Sequence, residues 1–207
     1  MTKRVLALSA AVLTALVVAG CGSDDTPAAA PSASTPGSPA ASASAGVSAA
    51  HNDADVMFAQ MMIPHHRQAI DMAKMAATRA ADSAVKTLAA RIQAAQDPEI
   101  QTMASWLTAW NAAMPTGMPG MDMGDSSKPS MPGAMSDAEM KKLDSTSGTA
   151  FDREFLTMMI KHHQGAIQMA QEEQKNGKNT EAVALAGKVV SDQTAEIGEI
   201  RRMLGAE

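Results

Sequence analysis

The strongest constraint on this fold is an internal repeat. Residues 55–73 read DVMFAQMMIPHHRQAIDMA, and residues 152–170 read DREFLTMMIKHHQGAIQMA, at a constant offset of 97 positions. The same offset continues without a gap, more weakly, to the end of the chain, so the two copies run from about 54 to 107 and from about 151 to 204. Because self-similarity at a fixed spacing marks a duplicated structural unit, the two copies should share one fold.

Each copy predicts a helical hairpin. Apolar residues recur at helical spacing, and helix-capping residues bracket two helices in each copy. One hairpin cannot bury its apolar face alone, so we expect an all-α fold, a four-helix bundle built from two duplicated helical hairpins. The capping signals are Asn52 or Asp53, Asp82, a capping box from Thr149 to Asp152, Gly177 as a stop, and Asn179 or Thr180 as the last start.

The N-terminus reads as a bacterial lipoprotein signal. Lys3 and Arg4 precede an apolar run that is too short for a comfortable membrane span, and the run ends at Cys21, the only cysteine of the chain. Residues 1–20 would be the signal peptide, residues 21–50 a disordered Ala/Ser/Pro tether, and residues 51–207 the bundle domain. Lipidated Cys21 would anchor the protein to the extracytoplasmic face of the cell membrane. The alternative is an ordinary signal peptide with an unrelated cysteine.

Two adjacent histidines lie on the inward face of the first helix of each hairpin. On a helical wheel they fall on the apolar side, and each has a methionine four residues before it, one turn away. Imidazole and thioether together suit a soft monovalent ion, so we predict a site for Cu(I), and possibly Ag(I). The alternative is that both residue types are ordinary core. The predicted ligands are His65, His66, Met61, Met62 and Met72 in the first copy, and His162, His163, Met158, Met159 and Met169 in the second.

Hairpin geometry also suggests residues that could orient the imidazoles. Reflection about each turn places Gln96 level with His66 and Gln193 level with His163. A glutamine at this level could bind the second ring nitrogen and fix the ring. The alternative is a pair of solvent-facing glutamines.

The connection between the copies, residues 113–148, contains further methionines. They sit among proline, glycine and serine, so we do not expect them in a core. A flexible segment of this kind could capture or hand on Cu(I) at low affinity; the alternative is a plain low-complexity linker. A short capped helix should begin at Ser136. The methionines concerned are Met118, Met121 and Met123, for which we predict a metal role, and Met131 and Met135.

The motifs MMIPHHRQAIDMA and MMIKHHQGAIQMA resemble the signature of the DUF305 family, over about residues 51–205. The resemblance implies a secreted, ferritin-like four-helix bundle. Some cyanobacterial members of that family are periplasmic copper-binding proteins linked to copper resistance. The residues that match the motif are the ten predicted ligands given above.

Composition narrows the remaining function classes. A net charge of −5 argues against a nucleic-acid partner, and one cysteine excludes a disulfide scaffold. A di-iron site would need inward glutamates and Glu-x-x-His motifs, but no Glu-x-x-His motif occurs and the first histidine-bearing helix contains no glutamate. No activated nucleophile is evident, so we predict no enzyme but a lipid-anchored copper-binding protein that buffers copper, confers resistance, or exchanges copper with a donor or acceptor protein. The alternative is a membrane-displayed interaction protein that binds no metal.

Overall fold

The computed structural model describes residues 48–115 and 131–205, which form five helices. No strand occurs in these two ranges, so the predicted all-α class is confirmed. Cys21, the signal peptide and nearly all of the tether lie outside the described residues. None of the described helices combines the length and the hydropathy needed to cross a bilayer. The helices are α1 (Asp53–Arg79), α2 (Ser83–Ala109), α3 (Asp137–Ser145), α4 (Gly148–Asn176) and α5 (Thr180–Met203).

The helix ends are set by local side chains, as the sequence indicates. Three side chains accept hydrogen bonds from the first free N–H groups of the long helices, and a capping box starts the short helix α3. Because these groups would otherwise lack partners, the caps fix where each helix begins. The caps are Asn52 for α1, Asp82 for α2, Ser136 for α3 and Asn179 for α5, and Gly177 ends α4.

The long helices form a four-helix bundle of two antiparallel hairpins, α1–α2 and α4–α5, which pack together chiefly through α1 and α4. The apolar interior is divided into two clusters. One contains Leu88, Phe151 and Phe155, and the other contains Phe58 and Trp106. On both α1 and α4, the adjacent histidines fall between residues of the first cluster and residues of the second. The bundle interior therefore has a polar layer between two apolar ones.

Two buried aspartates tie each hairpin to the turn of the other. Asp152 on α4 accepts hydrogen bonds from the backbone N–H groups of residues 81 and 82, at 3.1 and 3.0 Å. Asp55 on α1, at the equivalent repeat position, accepts from the N–H groups of residues 178 and 179, at 3.0 and 2.8 Å. The predicted capping box from Thr149 to Asp152 is wrong for this reason, because the carboxylate serves the other hairpin.

We expect Asp152→Asn to lower the free energy of unfolding by about 1.5–3 kcal/mol, since two charge-assisted hydrogen bonds to backbone N–H groups are weakened. Urea denaturation measures this difference. Asp53→Asn is the matched control, because Asp53 is an exposed acid in the first turn of α1. Equal stability of the two variants would show that solvent replaces the bonds made by Asp152.

Candidate metal centre

Four buried imidazoles form the polar layer, which we call the histidine layer: His65, His66, His162 and His163. All four residues are 0% exposed. The rings of His65 and His162 are in contact, with centroids 3.7 Å apart and planes inclined by 35°. These two histidines occupy equivalent repeat positions, so the local axis that relates the two hairpins passes close to their contact.

Each outer histidine of the layer is held by a glutamate from its own hairpin. Nε2 of His66 donates to Oε2 of Glu99 at 2.9 Å, and Nε2 of His163 donates to Oε2 of Glu196 at 2.7 Å. The sequence separation is the same in both copies, so the contact is duplicated. In the neutral form of each ring, a proton on Nε2 leaves Nδ1 as the lone-pair nitrogen.

The predicted orienting residues, Gln96 and Gln193, are therefore wrong as partners of the imidazoles. Both glutamines are buried, but the hydrogen bonds go to the glutamates three residues later. Helical side chains tilt towards the helix N-terminus. In an antiparallel hairpin, the histidine tilts away from the turn and the glutamate tilts towards it, so they meet although their Cα atoms lie at different levels.

The layer contains ring nitrogens without hydrogen-bond partners. Nδ1 of all four histidines is buried and unpaired among the described residues, and Nε2 of His162 is unpaired as well. Nε2 of His65 donates to the carbonyl oxygen of Pro132 at 3.1 Å, which again leaves Nδ1 as the acceptor. Buried polar atoms almost always have partners, so this concentration of bare nitrogens requires an explanation. It fits a cation held by the imidazoles.

The central imidazoles are neutral at physiological pH. Burial, and to a smaller extent the neighbouring His66, lower the pKa of His65 to about 3. Burial also lowers the pKa of His162 well below its usual range, helped by the surrounding imidazoles. Neutral imidazole is the form that binds a metal, so no proton has to leave these two rings first.

Glu99 brings negative charge to the edge of the layer. Burial opposes its ionisation, but the hydrogen bond and charge of His66, followed by those of Lys188, hold the pKa of Glu99 below its usual value. Lys188 Nζ lies 3.0 Å from Oε1 of the same carboxylate. Glu99 therefore bridges a buried imidazole and a partly exposed ammonium, which fixes the carboxylate as the orienting group for His66.

The predicted methionine ligands divide between the two apolar clusters. One set packs beside Phe155, and the other packs beside Phe58. Thioethers thus lie on both sides of the histidine layer, while Met118, Met121 and Met123 fall outside the described residues. The first set is Met72, Met158 and Met159, and the second is Met62, Met169 and the half-buried Met61.

The end of the connection lies in the groove between α1 and α4; we call residues 131–135 the strap. Gln68 makes two hydrogen bonds to the backbone of Met135, at 2.8 and 2.7 Å. Met135 is 1% exposed and belongs to an apolar cluster, so the expectation that it stays out of the core is wrong. Met131 also packs partly against the core. The amide of Gln68 supplies the partners that let this backbone enter the groove.

Gly165 makes room for the strap on the opposite helix. A Cβ at Gly165 would lie 2.0 Å from the carbonyl oxygen of Pro132, so no larger residue fits there without movement of the strap. Gly133 has a positive φ of 74°, which favours glycine. Gln68 and Gly165 are equivalent positions at which the repeats differ. That difference is the sequence signal from which the strap could have been found.

A pocket of about 290 Å³ opens beside the strap, between α1 and α4. Its lining includes the side chains of Met57, Met61, Met169 and Glu173, together with Pro132. Burial and the adjacent Asp55 carboxyl raise the pKa of Glu173 to about 8. The sequence pattern predicted Met61 and Met169 as metal ligands, but it gave no indication that Met57 and Glu173 are their neighbours.

The donor set of the layer excludes one rival class. Among residues 48–115 and 131–205, no three His, Asp or Glu side chains are grouped as metal-site ligands usually are. A di-iron centre requires several inward carboxylates, and no such group of carboxylates is present in this part of the chain. The groups on offer are neutral imidazole and thioether, which suit soft ions.

A family model describes residues 55–204 as a domain of unknown function, DUF305. The chain belongs to the DUF305 family. The match covers all of α2, α3, α4 and α5 and nearly all of α1. The DUF305 chain matches no functionally curated protein.

Solved structures of other DUF305 proteins are similar to this one. A DUF305 protein of Streptomyces coelicolor, described provisionally as secreted, is 33% identical with a TM-score of 0.65, and the match covers 73% of this chain and 92% of that one. A DUF305 fragment from Deinococcus radiodurans is 29% identical with a TM-score of 0.65, covering 75% and 98% respectively. The resemblance to DUF305 seen in the sequence is thus confirmed.

A third neighbour has been solved with metals bound. CopM in its Cu(II)-bound form is 35% identical to this DUF305 protein with a TM-score of 0.61, and the match covers 72% of this chain and 94% of CopM. CopM has also been solved in Cu(I)-bound and Ag-bound forms. Copper and silver binding therefore occurs within this structural family.

Proposed function

We propose that this DUF305 protein binds a soft monovalent ion, Cu(I) or Ag(I), in its histidine layer. The observation that carries the proposal is the set of four buried Nδ1 atoms that have no hydrogen-bond partner among the described residues. His65 and His162, whose rings touch, would be the central ligands, and His66 and His163, oriented by glutamates, would flank them. Their contact favours one shared centre over two separate ones.

Methionine sulfur would complete the coordination. The fully buried Met62 lies one helical turn before His66, and Met159 repeats the arrangement before His163 in the second copy. Thioether remains a usable ligand outside the cytoplasm, where thiols oxidise. The metal-bound forms of CopM support the same class of ion.

We further propose that the protein works on the extracytoplasmic face of the membrane, held there by lipid on Cys21. The apolar run before Cys21 and the polar segment after it support this placement, as does the provisional description of the Streptomyces neighbour as secreted. Chelation without a chemical step would serve copper buffering, resistance or transfer to a partner protein. Met118, Met121 and Met123 would assist capture or delivery.

The test is a Cu(I) competition titration of the full chain against a chromophoric chelator, under anaerobic reducing conditions. We expect His65→Leu/His162→Leu to weaken binding by more than about a hundredfold, because loss of an orienting group alone costs 10–100-fold at metal sites. His51→Leu is the matched control, since His51 lies before α1 and stacks on Trp110.

The outcomes separate the rival interpretations. Equal Cu(I) affinity of the parent and the double variant would move the site to the methionine-rich connection. No binding in the parent would remove the copper function and favour an interaction protein. Equal loss in His51→Leu would show that the effect is not specific to the histidine layer.

A further inference from the structure

The pocket beside the strap is rich in sulfur; we call it the thioether pocket and define it by Met57, Met61 and Met169. Met57 and Met61 are four residues apart on α1, so they lie on the same side of the helix. Met169 approaches from α4. Met57 is 54% exposed, which makes it one of the two large apolar side chains exposed in the described chain. The three methionines thus line a cavity that solvent can reach.

The charge of the lining favours a cation. Glu172 and Glu173 belong to the lining, and the described residues of the lining include no lysine, arginine or histidine. Glu173 is 2% exposed, and burial and the adjacent Asp55 carboxyl raise its pKa to about 8, so it is mainly a neutral acid at pH 7. The exposed carboxyl of the lining is that of Glu172, and no cationic side chain of the described lining opposes a bound cation.

The thioether pocket also adjoins the histidine layer. Pro132 lines the pocket, and its carbonyl oxygen accepts the hydrogen bond from Nε2 of His65. Pro132 of the strap therefore contacts both the thioether pocket and the central imidazole pair.

The equivalent positions of the second repeat differ from those of the thioether pocket. The position equivalent to Met57 is Glu154, which pairs with Lys142 of α3 at 2.9 Å. Leu143 of α3 is fully buried in the cluster that contains Met72 and Met158, the equivalents of Met169 and Met61. The short helix therefore covers these thioethers in one copy and leaves those of the other copy accessible.

We propose that the thioether pocket is a second binding site for a soft monovalent cation, separate from the histidine layer and placed to pass the ion to His65. The proposal rests on the proposed function for the class of ion. Three thioethers bind soft ions and reject hard ones, so Zn(II) and Mg(II) should not occupy the pocket.

The experiment is a titration of the full chain with Ag(I), observed by NMR through methionine methyl groups labelled with ¹³C. It is run in the parent and in His65→Leu/His162→Leu. We expect Ag(I) to shift the methyl signals of Met57, Met61 and Met169 in both proteins, whereas Zn(II) leaves them in place. Met57→Leu/Met61→Leu/Met169→Leu should bind about one Ag(I) fewer per chain than the parent. The matched control is Met75→Leu/Met140→Leu/Met203→Leu, three half-buried methionines outside the pocket, which should bind as the parent does.

Methyl shifts that vanish in the histidine variant would overturn the proposal, since the pocket would then only report on the central site. Unchanged Ag(I) stoichiometry in the pocket variant would overturn it too, as would equal shifts with Zn(II). A third outcome is that Ag(I) shifts the pocket methyl signals and that His65→Leu/His162→Leu binds as much Ag(I) as the parent. This outcome would support the thioether pocket and contradict the proposed function of the histidine layer. The two failures are thus distinguishable.

Discussion

His162→Leu should stabilise the metal-free protein and remove its stabilisation by metal. His162 is fully buried, and neither of its ring nitrogens has a hydrogen-bond partner in the described chain. An unpaired buried polar group costs about 1–3 kcal/mol, so an apolar side chain of similar size should raise the free energy of unfolding by an amount in that range. Replacing a residue that stabilises the fold lowers the free energy of unfolding, whereas replacing a residue that serves a ligand can raise it.

With metal bound, the parent should instead be more stable than His162→Leu. A ligand at 1,000 times its dissociation constant stabilises the folded state by about 4 kcal/mol. Urea denaturation with and without Ag(I), which undergoes no redox chemistry here, measures both effects. His51→Leu should leave both near the parent values. A large destabilisation of metal-free His162→Leu would show that the imidazole has a structural role instead.

Gly165→Ala should displace the strap and speed metal uptake. The new Cβ would lie 2.0 Å from the carbonyl oxygen of Pro132 and 2.7 Å from Cα of Gly133, and backbone atoms cannot turn aside as a flexible side chain can. Movement of the strap would break the hydrogen bond to His65 and strain the pairing between Gln68 and Met135. We expect a net loss of about 1–3 kcal/mol of stability, although alanine favours a helix by about 1 kcal/mol over glycine.

Gly198→Ala is the matched control for this effect. Gly198 also lies within a long helix, but its added Cβ would meet only the end of the Arg202 side chain, at 3.7 Å. This variant should be stabilised by up to about 1 kcal/mol, with unchanged uptake. Stopped-flow measurement of Ag(I) uptake should show a rate increase of about tenfold or more for Gly165→Ala alone, if lost strap contacts of about 1.4 kcal/mol limit access. Slower or unchanged uptake in a destabilised Gly165→Ala protein would contradict a covering role for the strap.

The bundle was predictable because its signals are local. The repeat, the helical spacing of apolar residues and the caps at Asn52, Asp82 and Asn179 are all written within short stretches of sequence. The inward placement of the histidines follows from the same periodicity. The glutamate partners lie about one helical turn from the predicted glutamines. The positions of Cα atoms along the hairpin do not reveal this difference, because the side chains of two antiparallel helices tilt in opposite directions.

The strap and the thioether pocket depend on contacts between distant parts of the chain. Gln68 donates a hydrogen bond to the backbone of Met135, and Met57 and Met169 line the same pocket. These residues are far apart in the sequence, and no periodicity predicts their proximity. The composition of the connection predicted a segment outside the core, but a backbone with polar partners on α1 and a glycine opposite on α4 can be buried whatever its composition. Only the mismatch between Gln68 and Gly165 in the repeat alignment carried a signal for this.

The two buried aspartates, Asp55 and Asp152, indicate how such a chain could have arisen by duplication. Asp55 caps the turn of the second hairpin, and Asp152 caps the turn of the first. A single ancestral hairpin would have had no turn to cap except that of another copy of itself. A single chain therefore has the interior of a twofold-symmetric homodimer, with the His65–His162 contact close to its axis. After fusion of two gene copies, the two halves could diverge. One half would have lost a cover like α3, and the other would have lost its open thioethers. The two ends of a formerly symmetric protein would then differ in how accessible their thioethers are to solvent.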